Sequence, residues 1–340
     1  MIDADFESAR VAILGTGREG RAAWRYLRSR YPSIQLTLID ENPPDAAVSD
    51  ALTDRDRVLT GQLSQIGLEN FDVLVRSPGI SLYRSSLQSA IAAGVKVTSP
   101  SNLWFAEHRD QQTVCITGTK GKSTTSALLA HLLTACGHRV RLAGNIGKPL
   151  LECDDREVDW WVIELSSYQL ADLEAEPSIA VILNLTPEHL DWHVSAAAYR
   201  RDKLRLATLA GDRPVISNAA DPVLRGALSG LANVHWFNGI EGIHVSGRQL
   251  FQGERLLPLR LPAGLPGAHN LSNAAAALTA ARVIGVEPEA AIDALALFRP
   301  LPHRLQVLGE HSGRRYVNDS ISSTPVATVA ALESFAGEQV

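Results

Sequence analysis

Cysteine is scarce in this 340-residue chain: there are three, Cys115, Cys136 and Cys153. An odd and small number excludes a disulfide framework, and their spacing matches no zinc pattern. Cys115 lies inside an apolar, strand-like run and reads as a small buried hydrophobe. An excess of positive charge is also missing. The formal net charge is −5 and no basic stripe interrupts the sequence, so nothing favours nucleic acid as a partner. No apolar run approaches the roughly 20 residues that span a bilayer, so no membrane insertion is expected. Low-complexity tracts are absent, and 45% apolar with 20% charged residues describes a globular chain. The polar, acidic start "MIDADFESAR" is unlike a secretory signal, and a cytoplasmic protein is expected.

What is present is alternation. "RVAILGTG", "IQLTLIDE", "FDVLVRSPG" and "VKVTSP" read as strands, separated by "REGRAAWRYLRSR" and "RSSLQSAIAAG" as helices. A second series begins at Val114 with "TVCITG", "RVRLAG", "DWWVIELS", "IAVILNLT" and "RPVISNAA" as strands. Helices are expected over about 122–136 and 196–209, and "HNLSNAAAALTAARVIG" is an Ala-rich helix. Alternation at this spacing means βαβ units and mainly parallel sheets. The fold class is therefore α/β: a Rossmann-like parallel sheet over 1–99, a central α/β domain over 100–302 that carries a P-loop-like turn, and the beginning of a third α/β domain over 303–340. The paired prolines of "FRPLPHR" mark the second boundary, and "RRYVNDSISSTP" reads as strand, loop and helix start. Some 40 residues cannot bury a core of their own, so a third domain is expected to be only begun.

Two glycine-rich turns could hold phosphate. "GTGREG" places Gly15, Gly17 and Gly20 between a strand and a helix, with Asp40 ending the next strand. This is the dinucleotide fingerprint, in which backbone approaches a diphosphate and the acid holds a ribose hydroxyl. A nicotinamide cofactor, another nucleotide, or a bare βα turn all fit it. "VCITGTKGKSTT" is the stronger signal. Gly118 and Gly121 flank Lys122, Ser123 and Thr124 at a strand–helix junction. Backbone N–H groups and the helix dipole can hold phosphate there, with Lys122 across the β/γ-phosphates and a hydroxyl on Mg²⁺. Ile116 stands where the eight-residue form of this loop has its first glycine, so the loop is a shorter variant. Downstream, Glu164 ends an apolar strand, His189 follows the end of the next, and Lys203 falls on the following helix. Singly each has an ordinary surface reading. Together, near a triphosphate, they suggest ligands for a second metal ion.

The ordered set "ITGTKGKSTT", "GNIGKPL", "ELSSYQL", "NLTPEHLDWH", "YRRDK", "PGAHNLSNAAAA", "LPHR" and "NDSISSTP" resembles the Mur ligase family, ATP-dependent amide ligases of peptidoglycan precursor synthesis. With "SPGI" and the first glycine turn, it looks most like the branch that adds glutamate to UDP-N-acetylmuramoyl-L-alanine. The resemblance implies that the first domain holds the uridine nucleotide rather than NAD. Gly17, Arg18 and Glu19 would approach the diphosphate, Asp40 and Glu41 the uridine end, and Ser77, Pro78 and Gly79 the sugar side. It implies ATP at Gly118, Thr119, Lys120, Gly121, Lys122, Ser123 and Thr124, with Asn270 and Asn273 on adenine. Arg304 would meet the γ-phosphate and Asp319 the ribose. Two Mg²⁺ sites are implied, one at Ser123, Thr124 and Glu164, the other at His189 and a carbamylated Lys203. Asn145 would lie between muramoyl substrate and γ-phosphate; Lys122, Lys203, His189 and Asn145 are the implied catalytic set. A monomer is expected.

The match departs from the branch at Asp319-Ser320-Ile321, where many members read Asp-Ser-Lys. A subgroup with this variant stretch adds L-glutamate rather than D-glutamate. By the same resemblance, most residues that hold the incoming amino acid lie past Val340. The competing readings are a neighbouring Mur-type or folylpolyglutamate-type ligase, a nucleotide-binding module without turnover, and an NAD-dependent oxidoreductase resting on the first glycine turn and Asp40 alone.

Overall fold

Five strands make the first sheet of the computed structural model, which describes residues 6–153, 157–259, 261–262, 265–320, 322 and 325–335. Along the chain these are β1 (Val11–Leu14), α1 (Arg18–Arg30), β2 (Leu36–Asp40), α2 (Ala46–Ser49), β3 (Asp56–Thr60), β4 (Val73–Arg76), α3 (Ser85–Ala92) and β5 (Lys96–Thr98). The strand order is β3-β2-β1-β4-β5 and every pairing is parallel. Side chains alternate between the faces of a strand. Val11 and Ile13 of β1 therefore pack with Trp24 and Leu27, while Ala12 and Leu14 pack on the other face with Leu68 and Leu87. β1 has partners on both sides whose connections run in opposite directions, which opens a crevice beyond the carboxyl ends of β1 and β4.

Helix α4 (Pro100–Glu107) leads into the second sheet, with Leu103 in the first core and Trp104 and Phe105 in the second. There follow β6 (Thr113–Thr117), α5 (Lys122–Ala135), β7 (Val140–Gly144), β8 (Trp160–Glu164), α6 (Ser167–Leu170), β9 (Ile179–Ile182), α7 (Leu190–His193), α8 (Ala196–Ala210), β10 (Val215–Asn218), α9 (Pro222–Leu228) and β11 (Val234–Phe237). The parallel order β11-β10-β9-β6-β8-β7 puts β6 at the reversal of strand order. Cys115 of β6 is wholly buried, and burial pushes its thiol up to about 12.

An antiparallel meander, β12 (Ile243–Ser246), β13 (Gln249–Gln252) and β14 (Arg255–Leu257), turns at Gly247 and Gly253, both at positive φ. Its inward residues Ile243, Leu250 and Leu257 cover α10 (Ala268–Ile284), whose buried alanines let that helix lie close against α5. After α11 (Pro288–Ala296) come the hairpin β15 (Gln306–His311) and β16 (Arg314–Asn318), then α12 (Pro325–Glu333). Ser312 and Gly313 both have φ > 0, the two-residue turn whose twist matches a hairpin.

Every strand and helix expected from the sequence is present, with the 122–136 helix ending at Ala135 and the 196–209 helix at Ala210. α2, β3, α4, α6, α7, α9, β11 to β15 and α11 were not foreseen. Ile321 of the variant stretch and residues 336–340 lie outside the described residues.

Candidate active site

The crevice of the first sheet is built by close backbone approach. Gly15 has φ +88, and a Cβ on Gly20 would stand 1.8 Å from the Gly15 carbonyl oxygen, so no side chain fits where α1 leaves the sheet. Ser77, at the end of β4, donates its hydroxyl to Gly15 O at 3.2 Å. Asp40 Oδ2 accepts from the backbone N–H of Thr16 at 2.7 Å and from its hydroxyl at 2.9 Å. Burial pushes Asp40 up, but N–H donors from Asn42, Thr16 and Glu41 outweigh it and hold the carboxyl below its ordinary value. Glu41 pairs with Arg84. Glu19 is the reverse case: burial raises it to about 7, with Arg18 opposing and Glu152 adding. Pro78 presents its carbonyl to Arg76 and Trp192, and Gly79 has open space where a side chain would stand. Gly17 begins α1, and Arg18 Nη1 reaches Gly147 O at 3.1 Å. That contact joins this crevice to the loop after β7.

The second glycine loop hangs on the segment after β9 and on α8. Thr119 N–H donates to Asn184 O at 3.0 Å, and Lys120 N–H to Asn184 Oδ1 at 2.8 Å. The Thr119 hydroxyl donates to Thr186 O at 2.8 Å and meets the Tyr199 hydroxyl at 2.7 Å. Lys122 Nζ folds back onto the carbonyls of Gly118 at 2.9 Å and Thr119 at 3.0 Å. Lys120 Nζ pairs with Glu188 at 2.6 Å.

Beside this loop is a cavity of about 260 Å³ lined in part by Lys120, Gly121, Thr124, Asn270, Asn273, Arg304 and Asp319. Seven residues expected at one nucleotide thus share one cavity, though they span some 200 positions of sequence. Asn273 Nδ2 donates to Asn270 Oδ1 at 3.2 Å. Arg304 Nη2 donates to Ser123 Oγ at 3.0 Å, and Asp319 Oδ1 accepts from Leu305 N–H at 3.0 Å. Two larger cavities, of about 480 and 710 Å³, contain none of the expected site residues.

Between the two crevices stand Glu164, Asn145, His189 and Lys203. Gly144 (φ +100) brings its backbone so near Glu164 O that a Cβ would sit 2.4 Å away. The next residue, Asn145, donates its amide to Glu164 Oε1 at 2.6 Å. Glu164 Oε2 is buried and has no hydrogen-bond partner. Lys203 is fully buried, with Nζ 2.9 Å from Gly118 O and 3.2 Å from Thr117 Oγ1. Burial and then Lys122 push its amine well below the ordinary lysine range. Lys122 is pushed down by burial too, against Glu164 and Glu188, with Lys120 and Arg304 pushing the same way. His189 sits at φ 55, and burial lowers it against the pull of Glu188 and Asp191.

A hard cation prefers oxygen ligands, and the orphaned buried oxygen of Glu164 beside hydroxyls at the start of α5 fits one. Among the described residues no three His, Cys, Asp or Glu side chains gather into a ligand cluster.

Several residues that shape the site carry no signal of their own in the sequence. Glu188 pairs with Lys120 and, with Glu164, acts on the charge of Lys122, yet "PEH" reads as an ordinary polar loop. Tyr199 precedes Lys203 by four positions on α8, a spacing that puts both on one helix face, and that spacing is the signal that could have found it.

The sequence matches two known domain patterns: the Mur ligase MurD-like N-terminal domain over residues 9–99 and the Mur ligase middle domain over residues 116–281. A protein of Xanthomonas oryzae pv. oryzae named UDP-N-acetylmuramoyl-L-alanine–L-glutamate ligase is 46% identical, the alignment covering 99% of this chain and 74% of that protein. A protein of the same name from Xylella fastidiosa is 46% identical over 98% of this chain and 73% of its own length. One from Micromonospora is 37% identical over 99% and 76%. Among solved structures, MurF from Acinetobacter baumannii superposes with a TM-score of 0.61 at 19% identity, covering 99% of this chain and 71% of that one. MurC from Thermotoga maritima gives 0.60 at 16%, covering 96% and 77%. At those identities the structures speak for the fold alone.

Proposed function

Because this chain belongs to the Mur ligase family, we propose that it is the ATP-dependent, ADP-forming ligase that joins L-glutamate to UDP-N-acetylmuramoyl-L-alanine. The family supplies ATP and Mg²⁺ chemistry and the role in peptidoglycan precursor synthesis. The choice of L-glutamate rests on the names of relatives that align over nearly the whole chain, and on the variant stretch after Asp319. In this reading residues 1–99 take the uridine substrate, 100–302 take ATP, and 303–340 begin the unit that closes over both. No helix among the described residues is long and apolar enough to cross a membrane. The family's role in precursor synthesis supports a cytoplasmic protein, and we read it as a monomer.

One observation carries the reading. Lys122, Lys203, Glu164 and His189 surround the loop after β6, between a cavity that suits a nucleotide and a crevice that suits a diphosphate sugar. A carboxylate resists attack by an amine, because oxide cannot leave. Transfer of the γ-phosphoryl group onto it gives an acyl phosphate, whose phosphate leaves when the amine of glutamate attacks. Chain residues have little covalent work to do here; they position two anions and offset their charge. Lys122 on α5 and Arg304 after α11 both reach the start of α5, Arg304 through Ser123. Asn145, held by Glu164, lies two residues before Gly147, whose carbonyl accepts from Arg18 of the first crevice. Mg²⁺, when bound, would supply positive charge to offset what develops in transfer. Ser123, Thr124 and Glu164 would hold one ion, His189 and Lys203 a second.

Lys203 as a carbamate fits the second position. Condensation with CO₂ needs an uncharged amine, and burial with Lys122 nearby favours that form. The carbamate would then present anionic oxygens to a hard cation.

The test is phosphate release by the full-length protein with ATP and UDP-N-acetylmuramoyl-L-alanine, L- and D-glutamate being supplied separately. Turnover with L-glutamate is expected. Turnover with D-glutamate alone overturns the amino-acid assignment, and silence with both overturns the ligase. Lys203→Ala should abolish turnover with the fold intact; a fully active variant removes the carbamate.

A further inference from the structure

His193, absent from the residues considered so far, is wholly buried, and so, nearly, are its partners Ser167 and Asp202. Its Nδ1 lies 2.7 Å from Asp202 Oδ2, and its Nε2 lies 2.9 Å from Ser167 Oγ. A carboxylate only accepts, so Nδ1 carries the hydrogen and Nε2 is left to accept from the serine hydroxyl. The order Ser–His–Asp is that of a hydrolytic triad. With all three side chains closed to solvent no substrate can reach Ser167 Oγ, so the constellation serves structure.

Its placement says what it holds. Ser167 opens α6, three residues after Glu164. His193 closes the single turn α7, and the carbonyl of His189 accepts from the N–H groups of both Trp192 and His193, at 3.1 and 3.0 Å. Asp202 precedes Lys203 on α8. Successive helical residues diverge by roughly 100°, so Asp202 faces α7 while Lys203 faces the phosphate loop. From the first α/β unit, Tyr83 donates its hydroxyl to the Asp202 carboxylate, 2.7 Å from each oxygen, and Arg201 Nη2 donates to that hydroxyl at 2.7 Å. The same seam is held by Trp192 Nε1 donating to Pro78 O at 3.1 Å and by the Ser81 hydroxyl donating to Trp192 O at 2.6 Å.

We propose that His193 is a positioning residue: through Asp202 it fixes the rotation of α8 that seats Lys203, and through α7 the setting of His189. Tyr83 brings the uridine-side unit into the same joint, so docking of the two α/β units and assembly of the phosphate site are one event. The roles of Lys203 and His189 rest on the ligase reading above; the joint itself does not.

The experiment uses the full-length protein in bicarbonate-free buffer. Pulse acetylation with acetic anhydride, read at Lys203 by peptide mass spectrometry, reports how well that amine is seated, and it needs no turnover. His193→Ala should raise the Lys203 acetylation rate about tenfold, since local opening governs access. Misplacement by about 1 Å can lower a rate about 100-fold, so kcat should fall about 10- to 100-fold. KM for ATP and for the uridine substrate should stay within about twofold, the mark of an effect confined to the transition state. His193→Asn, which keeps a donor towards Asp202, should recover part of both changes. Tyr83→Phe, which keeps the ring and drops the hydroxyl, should raise acetylation severalfold. Leu295→Ala, in the separate core under α11, matches a loss of global stability and should leave Lys203 protected. Unchanged acetylation in His193→Ala, or in His193→Asn and Tyr83→Phe if the alanine variant does not fold, overturns the joint. An equal rise in Leu295→Ala also overturns it. A silent wild-type enzyme in which His193→Ala still exposes Lys203 overturns the ligase reading and leaves the joint standing.

Discussion

The ammonium groups of Lys122 and Lys203 converge on one acceptor, the carbonyl oxygen of Gly118, each at 2.9 Å. Burial first, and then the charge of Lys122 on the same oxygen, pushes the amine of Lys203 well below its ordinary range. Phosphate oxygens arriving at this loop would give Lys122 an anionic partner in place of two neutral carbonyls. Lys122→Met should therefore lower kcat for phosphate release by about 100-fold or more, the scale seen when one preorganised donor to developing charge is lost. Steady-state phosphate release at saturating ATP checks this.

Gly121 has φ +85, and a Cβ there would stand 2.3 Å from Asn273 Oδ1. Gly121→Ala meets both a strained backbone, costing about 1–3 kcal/mol, and a displaced amide in the nucleotide cavity. KM for ATP should rise about tenfold or more, with KM for the uridine substrate unchanged. Initial rates with each substrate varied in turn separate the two.

Asp221 joins two elements at once. Its Oδ1 caps α9, accepting from Val223 and Leu224 N–H at 2.9 and 3.1 Å, while Oδ2 accepts from Leu185 N–H at 2.8 Å. Asp221→Ala loses the cap and leaves Leu185 N–H without its acceptor, a destabilisation of about 2–3 kcal/mol. Asp221→Asn keeps one acceptor and should lose less. Urea unfolding of both variants gives the comparison.

Glu19 supplies a pH dependence with a definite sign. Burial raises its carboxyl from the ordinary 4.5 to about 7. Between those values the folded chain holds a proton that the unfolded chain has released, so stability falls as pH rises through that window. Below 4.5 both states are protonated and the effect vanishes. Glu19→Gln should match wild type near pH 4 and be more stable by about 1–3 kcal/mol near pH 8. Denaturant midpoints at the two pH values measure it.

Legibility in the sequence followed local pattern. β1, β6, β8 and β9 are continuous apolar runs buried on both faces, and such runs announce central parallel strands. β3, "DRVLT", lies at the sheet edge with no residue fully buried, so no apolar period marks it. The meander β12 to β14 is short and half-exposed; only Gly247 and Gly253, six residues apart, hinted at its turns. Phosphate-loop residues were legible because glycine and lysine at that spacing have a backbone reason. Lys203 was legible only in company, since a lysine in "YRRDK" looks solvated until tertiary packing buries it. The His193–Asp202–Tyr83 joint was not legible at all, because its partners lie 9 and 119 positions apart and meet only across the seam.

Arg304 lies between His303 at φ 64 and Leu305 at φ 43, two left-handed residues that swing its guanidinium back 181 positions along the chain to Ser123. The backbone on either side stays in that unfavourable region while something at the far end holds the arginine. Whatever free energy a bound nucleotide contributes to that grip must appear, equal in size, as stiffening of residues 303–305, because linkage between two equilibria is reciprocal. Freezing the turn in its present shape would then tighten nucleotide binding without touching the nucleotide, and loosening it would do the opposite. In the proposed reading the bend is a thermodynamic handle on the phosphate loop.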